Sequence, residues 1–265
     1  TGGYVSVPML TAAWRKCPSL IYLPDMVPGL AIRYLSPLAT RVAVSFESVK
    51  GYFPAGKAFV SGYPVRRELL EADRQAARAQ LGFPAGWPAV LVMGGSTGAR
   101  AINSAVRAIL PELLRKATVL HVSGHEDYED LVRRRSDLPM ELREQYRLYA
   151  YMYDEMPLAL AAADLVVGRA GAATLAEFPA VGLPAVLVPY PYSGQHQMPN
   201  AEYMAARGAA VVLAEAGLEQ QLLPTVTALL ADDERRHEMS RASRALAMPG
   251  AAAAIAAELQ ALART

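Results

Sequence analysis

The sequence has little of three things: cysteine, unbalanced charge and long apolar runs. The single cysteine, Cys17, excludes an internal disulfide and is typical of a reducing compartment. The 26 basic and 25 acidic residues nearly cancel, which argues against nucleic acid as a partner because nucleic-acid-binding domains carry a basic surface. No apolar run reaches the roughly 18 residues of a membrane span. The alanine-rich residues 251–263, interrupted by Glu258 and Gln260, predict an amphipathic helix.

Apolar residues are abundant and make up 53% of the 265 residues. A chain of this length and composition suffices for one large domain or two ordinary ones. Strand-like segments alternate with helix-like segments, a pattern typical of an α/β fold whose parallel sheets are buried on both faces. The predicted strands are residues 19–22, 42–45, 57–60, 89–93, 118–122, 165–167, 185–188 and 210–213. The predicted helices between the later strands are residues 99–116, 171–181 and 199–207.

A change in composition predicts a domain boundary between residues 62 and 66, where a charged, helix-prone stretch follows Gly62-Tyr63-Pro64. Residues 1–65 are too short for a doubly wound domain, so we expect the C-terminal part of an N-terminal Rossmann-like domain. Residues 66–247 predict a complete Rossmann-like domain, and residues 248–265 a C-terminal helix that packs back toward the first domain.

The glycine-rich stretch MGGSTGAR, residues 93–100, links a predicted strand to a predicted helix. Glycine lets a ligand approach the backbone, and the N–H groups at a helix N-terminus attract phosphate. The pattern is neither a Walker A loop nor a full G-x-G-x-x-G, so on its own it fits a ligand-free turn equally well. The candidate phosphate-binding residues are Gly94, Gly95, Ser96, Thr97 and Gly98.

The stretch GRAGAATLAE, residues 168–177, repeats this arrangement. Thr174 and Glu177 share a helix face, and a carboxylate there can accept two hydrogen bonds from the hydroxyls of a ribose. The alternative is a solvated surface acid near the helix start. Pro179 predicts that this helix is short or kinked.

A third polar loop, PYPYSGQHQMPNA, spans residues 189–201. It offers Gln195, His196, Gln197 and Asn200, neutral donors and acceptors that suit sugar hydroxyls. By itself it also fits an ordinary loop. All three loops follow predicted strands, however, and doubly wound sheets bind ligands at the carboxyl ends of their strands.

In order and spacing, these three stretches resemble the MurG family of glycosyltransferases, glycosyltransferase family 28, and GGYVSVP and SGYPVR extend the match toward the start of the chain. The resemblance implies a GT-B fold, two Rossmann-like domains with the active site between them. It implies transfer of N-acetylglucosamine from UDP-GlcNAc to lipid I, giving lipid II. Since the chain begins at Thr1 and enters GGYVSVP at once, we expect that an N-terminal segment precedes it.

The resemblance also assigns roles on the donor side. Backbone groups near Gly95 and the Arg66 side chain would hold the diphosphate, and Glu177 the ribose. The backbone of Tyr153 would read the uracil edge, and Met156 would cover the base. The remaining residues implied for the donor, chiefly its acetamido sugar, are Gly171, Ala172, Thr174, His196, Gln197 and Asn200.

The implied reaction is inverting and needs neither metal nor other cofactor, because backbone dipoles and Arg66 stabilise the leaving diphosphate. The acceptor side departs from the family pattern. The usual His-Glu-Gln-Asn run reads Tyr22-Leu23-Pro24-Asp25 here, and a later asparagine is replaced by Ile32. Asp25 is the one candidate general base, with a turn aspartate as the alternative.

Trp14, Arg15 and Lys16 fall where the family has an apolar and basic patch that faces the membrane. An interfacial tryptophan beside cations suits anionic lipid, so we expect peripheral binding to the inner face of the cytoplasmic membrane. The alternative is a tryptophan that closes a helix onto the core.

The sequence is also compatible with three other functions. One is a UDP-sugar transferase with another lipid acceptor, as in the related galactolipid and glucolipid synthases. Another is a donor-binding half that needs a partner chain. The third is a UDP-GlcNAc 2-epimerase, which would need several carboxylates in the cleft that the sequence does not supply.

Overall fold

The computed structural model describes residues 5–95, 99–192 and 196–264. Within them the chain forms two parallel sheets flanked by helices, which confirms the predicted α/β class. The first sheet has the order β1-β2-β3. This part of the chain comprises α1 (Ser6–Ala13), β1 (Leu20–Leu23), α2 (Leu30–Leu35), β2 (Arg41–Val44), a 3₁₀ helix (Glu47–Tyr52) and β3 (Ala58–Val60).

The second sheet has six parallel strands in the order β6-β5-β4-β7-β8-β9. The strands are β4 (Ala89–Met93), β5 (Thr118–Val122), β6 (Tyr146–Tyr149), β7 (Leu165–Gly168), β8 (Ala185–Leu187) and β9 (Ala210–Val212). The helices are α3 (Arg67–Leu70), α4 (Arg74–Gln80), α5 (Arg100–Leu114), α6 (His125–Ser136), α7 (Met140–Arg143), α8 (Met156–Ala162), α9 (Thr174–Val181), α10 (Gln197–Ala205), α11 (Leu218–Ala231), α12 (Asp233–Arg244) and α13 (Ala251–Leu262).

The strand order of the second sheet reverses next to β4. From β4 the chain moves outward through β5 to β6, then returns to place β7 on the other side of β4. The connections after β4 and β7 therefore diverge to opposite faces and leave a crevice between them. Such a crevice at the carboxyl ends of the strands is where open α/β sheets bind their ligands.

Both faces of the second sheet are buried, as its fully apolar strands predict. Successive side chains of a strand point to opposite faces. Val90 and Val92 thus pack into a core that α5 and α11 cover, whereas Leu91 points into the opposite core. That second core is continuous with Ile21 and Val44 of the first sheet. The two sheets therefore share one hydrophobic interior.

All eight predicted strands form, each within one residue of its predicted ends. The sequence missed edge strand β6, because Arg147 interrupts its apolar character. Its guanidinium reaches past the sheet edge, where it donates to the carbonyl of Gly82 at 2.8 Å and lies 4.6 Å from the ring centroid of Phe83. Helix α9 is short, as Pro179 predicts: it begins at Thr174, after the expected start, and left-handed Gly182 ends it.

The C-terminal helix α13 contacts the first sheet through an ion pair between Arg41 Nε and Glu258 Oε1, which are 2.6 Å apart. At the crossing between the sheets, Gly62 has φ of +81°, and a Cβ there would lie 2.7 Å from Cβ of Met248. Only glycine fits this close approach. The domain limits themselves stay a prediction.

A buried chain of hydrogen bonds fixes α5 against the second sheet. His121, on β5, is fully buried; its Nδ1 lies 2.8 Å from the hydroxyl of Tyr146 and its Nε2 lies 2.9 Å from Oδ1 of Asn103. Asn103, on α5, donates through Nδ2 to the carbonyl of Ser123 and to Asp127. Since Oδ1 of Asn103 is an acceptor, the His121 ring carries its proton on Nε2 and is neutral. Burial accordingly lowers the pKa of His121 to about 3.

The protein should lose stability as the pH falls from 7 to 5, and His121 should cause part of that loss. The folded pKa lies below the ordinary value of 6.5, so the unfolded chain binds the extra proton in this interval. The contribution is about 2 kcal/mol of unfolding free energy. Urea unfolding at both pH values measures it. His121→Gln should remove this component, and His237→Gln, at an exposed position, should retain it; an equal pH effect in all three proteins would contradict the assignment.

Candidate functional site

The predicted phosphate loop begins directly at the switch point of the second sheet. Gly94 and Gly95 follow β4, and α5 begins at Arg100, where the N-cap residue Ala99 has no polar side chain to cap the first turn. Gly95 has φ of +88°, a left-handed conformation that favours glycine, and space is open where its Cβ would stand. Ser96, Thr97 and Gly98 lie outside the described residues.

The glycines after β7 serve two different purposes. A Cβ on Gly168 would lie 3.0 Å from the carbonyl oxygen of Met93, so this glycine lets β4 and β7 approach. A Cβ on Gly171 would meet nothing within 4 Å. Gly171 and the adjacent Ala172 are partly exposed, and their contact with the donor sugar stays a prediction.

A cavity of about 440 Å³ opens beside the first glycine loop and is called the nucleoside cavity here. It brings together residues from the linker, β4, the loop before α8, and α9. Arg66, Gly95, Tyr153, Met156 and Glu177, all predicted donor-binding residues, line it. The other lining residues are Met93, Val122, Tyr151, Met152, Asp154 and Ala173. Its size and its mixture of apolar walls with the charged residues Arg66, Asp154 and Glu177 suit a nucleoside.

Glu177 is half-buried on α9, one helical turn after Thr174. Burial raises the pKa of its carboxyl group, and the positive charge of Arg66 partly opposes that rise. Thr174, in contrast, donates its hydroxyl to the carbonyl of Arg169 at 3.1 Å. Thr174 thus holds the loop before α9, and Glu177 is the polar residue of α9 that lines the cavity.

Arg66 stands at the start of α3 and is exposed. Its Nη1 donates to the carbonyl of Tyr153 across 3.3 Å, which closes one side of the nucleoside cavity. Tyr153 is itself 69% exposed, and its carbonyl is the group that Arg66 holds. Arg66 therefore lies at the nucleoside end of the crevice, within the same cavity as Gly95.

Asn200, predicted to hold the acetamido sugar, already bonds to segments of both sheets in this structure. It is fully buried on α10. Its Nδ2 donates to Asp25 Oδ1 and to the carbonyl of Ala170, both at 3.0 Å, and its Oδ1 accepts from the backbone N–H of Met26 at 3.0 Å. Asn200 thus joins the loop after β1, in the first sheet, to the loop after β7, in the second.

The other two polar residues of this segment lie closer to the crevice. Gln197 Oε1 accepts from the backbone N–H of Tyr190 at 2.9 Å, which braces the residues after β8. His196 faces Gly29 of the first sheet, where a Cβ would lie 3.5 Å from its ring. Nδ1 of His196 is buried and, among the described residues, has no hydrogen-bond partner. Gln195 lies outside the described residues.

An ion pair that the sequence does not predict holds this segment. Arg169, the arginine of GRAG, donates to Glu215 across 2.6 Å and to the carbonyl of Val188 at 3.1 Å. Its guanidinium lies 5.1 Å from the ring centroid of Tyr190. Arg169 therefore ties together the loops after β7, β8 and β9. The two charged partners are 46 positions apart, so no local pattern predicts their contact.

Asp25 follows β1 and lies close to the second sheet through its bond to Asn200. Burial and the negative charges of Glu177 and Asp25 together raise the pKa of Tyr63. The negative charges of Asp25, after β1, and of Glu177, on α9, thus both act on the Tyr63 hydroxyl. Tyr22, which replaces the family's histidine, directs its hydroxyl to Ser45 at 2.8 Å.

The predicted membrane-facing residues lie at the end of α1. Trp14 is 48% exposed, and the guanidinium of Arg15 lies 5.4 Å from the centroid of its ring. Trp14 therefore does not close α1 onto the core, and Lys16 is exposed beside it. No helix in the described ranges is long and apolar enough to span a bilayer. Within the same ranges, no three His, Cys, Asp or Glu side chains cluster closely enough to hold a metal ion.

Comparison with known proteins agrees with this geometry. Residues 89–255 match the model of the glycosyltransferase family 28 C-terminal domain. A protein of Roseiflexus sp. (strain RS-1) is 42% identical over 301 residues, covering 99% of this chain and 68% of its own length. A protein of Salinibacter ruber is 44% identical over 266 residues, covering 99% and 70%. Both carry the name UDP-N-acetylglucosamine–N-acetylmuramyl-(pentapeptide) pyrophosphoryl-undecaprenol N-acetylglucosamine transferase.

Comparison with solved structures supports the same family. The crystal structure of Acinetobacter baumannii MurG superimposes with a TM-score of 0.76 at 28% identity, covering 98% of this chain and 71% of that one. The predicted GT-B fold is therefore confirmed. The chain belongs to glycosyltransferase family 28, the MurG family, and is a glycosyltransferase.

Proposed function

We propose that the protein transfers N-acetylglucosamine from UDP-GlcNAc to a lipid-linked acceptor, converting lipid I to lipid II. The observation that carries the proposal is the nucleoside cavity, which places Glu177 and Arg66 beside Gly95 at the switch point of the sheet. The names of the relatives support the donor and the acceptor. Trp14, Arg15 and Lys16 would hold the protein peripherally on the cytoplasmic face of the membrane, next to that acceptor.

In the proposed donor complex, the uridine occupies the nucleoside cavity. The carboxylate of Glu177 accepts hydrogen bonds from the two ribose hydroxyls, and Met156 packs on the base. The diphosphate lies over Gly94 and Gly95 at the N-terminus of α5, where aligned backbone dipoles favour negative charge. His196 and Gln197 border the sugar, and Asn200 acts behind them by holding Asp25 in place.

The proposed reaction is a single displacement. The acceptor hydroxyl oxygen attacks the anomeric carbon, the bond from that carbon to the β-phosphate oxygen breaks, and UDP leaves with inversion. Asp25 accepts the hydroxyl proton on Oδ2, because Oδ1 accepts from Asn200. Arg66 and the backbone amides stabilise the leaving diphosphate, so we propose that no metal is required. Detection of a β-linked product by NMR would support inversion. An unchanged rate in EDTA would support a reaction that needs no metal.

A different lipid acceptor is the second candidate, and one observation favours it. Where the family carries a polar His-Glu-Gln-Asn run, Leu23 is buried and the Tyr22 hydroxyl is directed to Ser45. These two positions therefore offer the acceptor fewer polar groups than the family pattern does. Parallel assays with lipid I and with a diacylglycerol acceptor decide between the candidates: product from lipid I alone supports the first, and product from diacylglycerol alone supports the second.

Replacing Glu177 should weaken donor binding through the ribose. Glu177→Gln should raise the Kd for UDP by roughly 10- to 100-fold, since charge-assisted hydrogen bonds contribute about 1.5–3 kcal/mol. Calorimetric titration measures the change. Glu219→Gln, at an exposed position of α11, is the matched control and should bind normally. A UDP analogue lacking both ribose hydroxyls should bind wild type and Glu177→Gln equally; a loss of affinity for that analogue too would place Glu177 elsewhere.

Replacing Asp25 should separate transfer from binding. Asp25→Asn keeps an oxygen for Asn200 but removes the proton acceptor, so kcat should fall by about 10²-fold or more while the Kd for UDP stays unchanged. The measurement is the initial rate of UDP release with lipid I. Asp137→Asn, exposed beyond the end of α6, provides the control. A wild-type kcat in Asp25→Asn would remove Asp25 from the mechanism.

A further inference from the structure

A second cavity of the second sheet, of about 430 Å³, contains two arginines and is called the arginine cavity here. Its lining comes from segments that follow five strands of the sheet, so it lies over their carboxyl ends. Gly94, Arg100 and Arg169 belong to this lining. The next residue after Gly94, Gly95, lines the nucleoside cavity. A diphosphate that lies over both glycines therefore reaches from one cavity to the other.

Arg66, the arginine that the sequence assigns to the diphosphate, belongs to the nucleoside side. Among the described residues, it lines the nucleoside cavity and not the arginine cavity. Its Nη1 donates to the carbonyl of Tyr153, and its charge acts on the carboxyl group of Glu177. In the proposed donor complex, Arg66 thus lies near the α-phosphate, which is attached to the ribose. The β-phosphate, which gains negative charge when the sugar leaves it, points toward the arginine cavity.

The two arginines of this cavity differ in how firmly an acid holds them. The side chain of Arg169 is 11% exposed and lies 2.6 Å from Glu215, so its charge is already compensated. The side chain of Arg100 is 77% exposed, and its Nη2 lies 3.2 Å from Oε2 of Glu126, which is 76% exposed. An exposed ion pair of this kind contributes at most about 1 kcal/mol. A phosphate group can therefore replace Glu126 at little cost.

The other edge of the Arg100 guanidinium faces an acid that the protein interior holds in place. Nε of Arg100 lies 3.9 Å from Oδ1 of Asp127, whose side chain is 26% exposed. Oδ2 of Asp127 accepts from Nδ2 of Asn103 at 2.7 Å, and Oδ1 of Asn103 lies 2.9 Å from the buried ring of His121. One edge of the guanidinium thus has a fixed partner, and the other has an exchangeable one.

We propose that Arg100 binds the β-phosphate of the donor and stabilises the negative charge that develops there as the sugar leaves. The inference rests on the proposed function, since it adds a catalytic residue to the same displacement. Arg100 exchanges Glu126 for the phosphate, and Asp127 is a positioning residue that orients the guanidinium through Nε. Arg100 keeps its proton throughout, so it acts by charge and hydrogen bonding alone.

Two nucleotides that differ by the β-phosphate test this assignment. Arg100→Gln should raise the Kd for UDP by about tenfold, because hydrogen bonds from arginine to phosphate are charge-assisted. It should leave the Kd for UMP, which lacks the β-phosphate, unchanged. Arg66→Gln, in contrast, should weaken both nucleotides. Arg107→Gln is the matched control: it lies on the same helix, its Nη1 is 3.2 Å from Asp130, and its loss should change neither Kd.

The two acids should have opposite effects in the same calorimetric titrations. Glu126→Gln removes the group that competes with the phosphate, so it should lower the Kd for UDP by about two- to threefold. Asp127→Asn keeps an oxygen for Asn103 but loses its charge beside Nε, so it should reduce the preference for UDP over UMP. A merely structural role of Asp127 would weaken both nucleotides equally, and that result would contradict its assignment.

The rate of transfer gives an independent measurement. Arg100→Gln should lower kcat with saturating UDP-GlcNAc and lipid I by roughly 10²-fold, and Arg100→Lys, which keeps the charge, should restore part of it. Equal losses of UMP and UDP affinity in Arg100→Gln would overturn the inference, as would wild-type UDP binding together with a wild-type kcat.

The nucleotide titrations need no acceptor, so this inference and the proposed function can fail separately. A selective loss of UDP affinity in Arg100→Gln, with no transfer to lipid I by wild type, would retain Arg100 and refute the proposed reaction. Transfer to lipid I by wild type and by Arg100→Gln at equal rates, with equal Kd values for UDP, would refute the role of Arg100 alone.

Discussion

The arrangement of the site depends on one buried amide. Asn200 bonds through Nδ2 to Asp25 in the first sheet and to the carbonyl of Ala170 in the second, and through Oδ1 to the backbone of Met26. Because the side chain is fully buried, none of these groups can exchange its partner for water without cost. The amide therefore sets the position of the candidate base relative to the donor loops.

Around this contact, the crevice divides into regions of different chemistry. At one end, Glu177 and Arg66 border an enclosed nucleoside cavity beside Gly95. In the middle, the ion pair of Arg169 and Glu215 fixes the loops that follow three strands. A larger cavity, of about 1080 Å³, has Pro28 and Leu30 on one wall and Tyr190 and Met198 on the other.

The sequence predicted most of the fold because its strands are continuous apolar runs. Such runs are typical of the strands of parallel sheets that are buried on both faces. It missed β6 because an edge strand tolerates Arg147. On the donor side, it placed Glu177 and Arg66 in one cavity. For Asn200, the sequence indicated a polar loop residue but not its bonds to Asp25, Ala170 and Met26, which join distant segments. The Arg169–Glu215 pair likewise joins distant segments, which no local motif encodes.

A double-mutant cycle tests the central contact most directly. Asp25→Ala, Asn200→Ala and the combined variant are compared in kcat, after circular dichroism and UDP binding show that each is folded. If Asn200 acts by positioning Asp25, its loss slows transfer in the wild-type background but adds almost nothing once Asp25 is gone, with a coupling energy of about 1 kcal/mol or more. Independent, multiplicative losses in the combined variant would contradict the account.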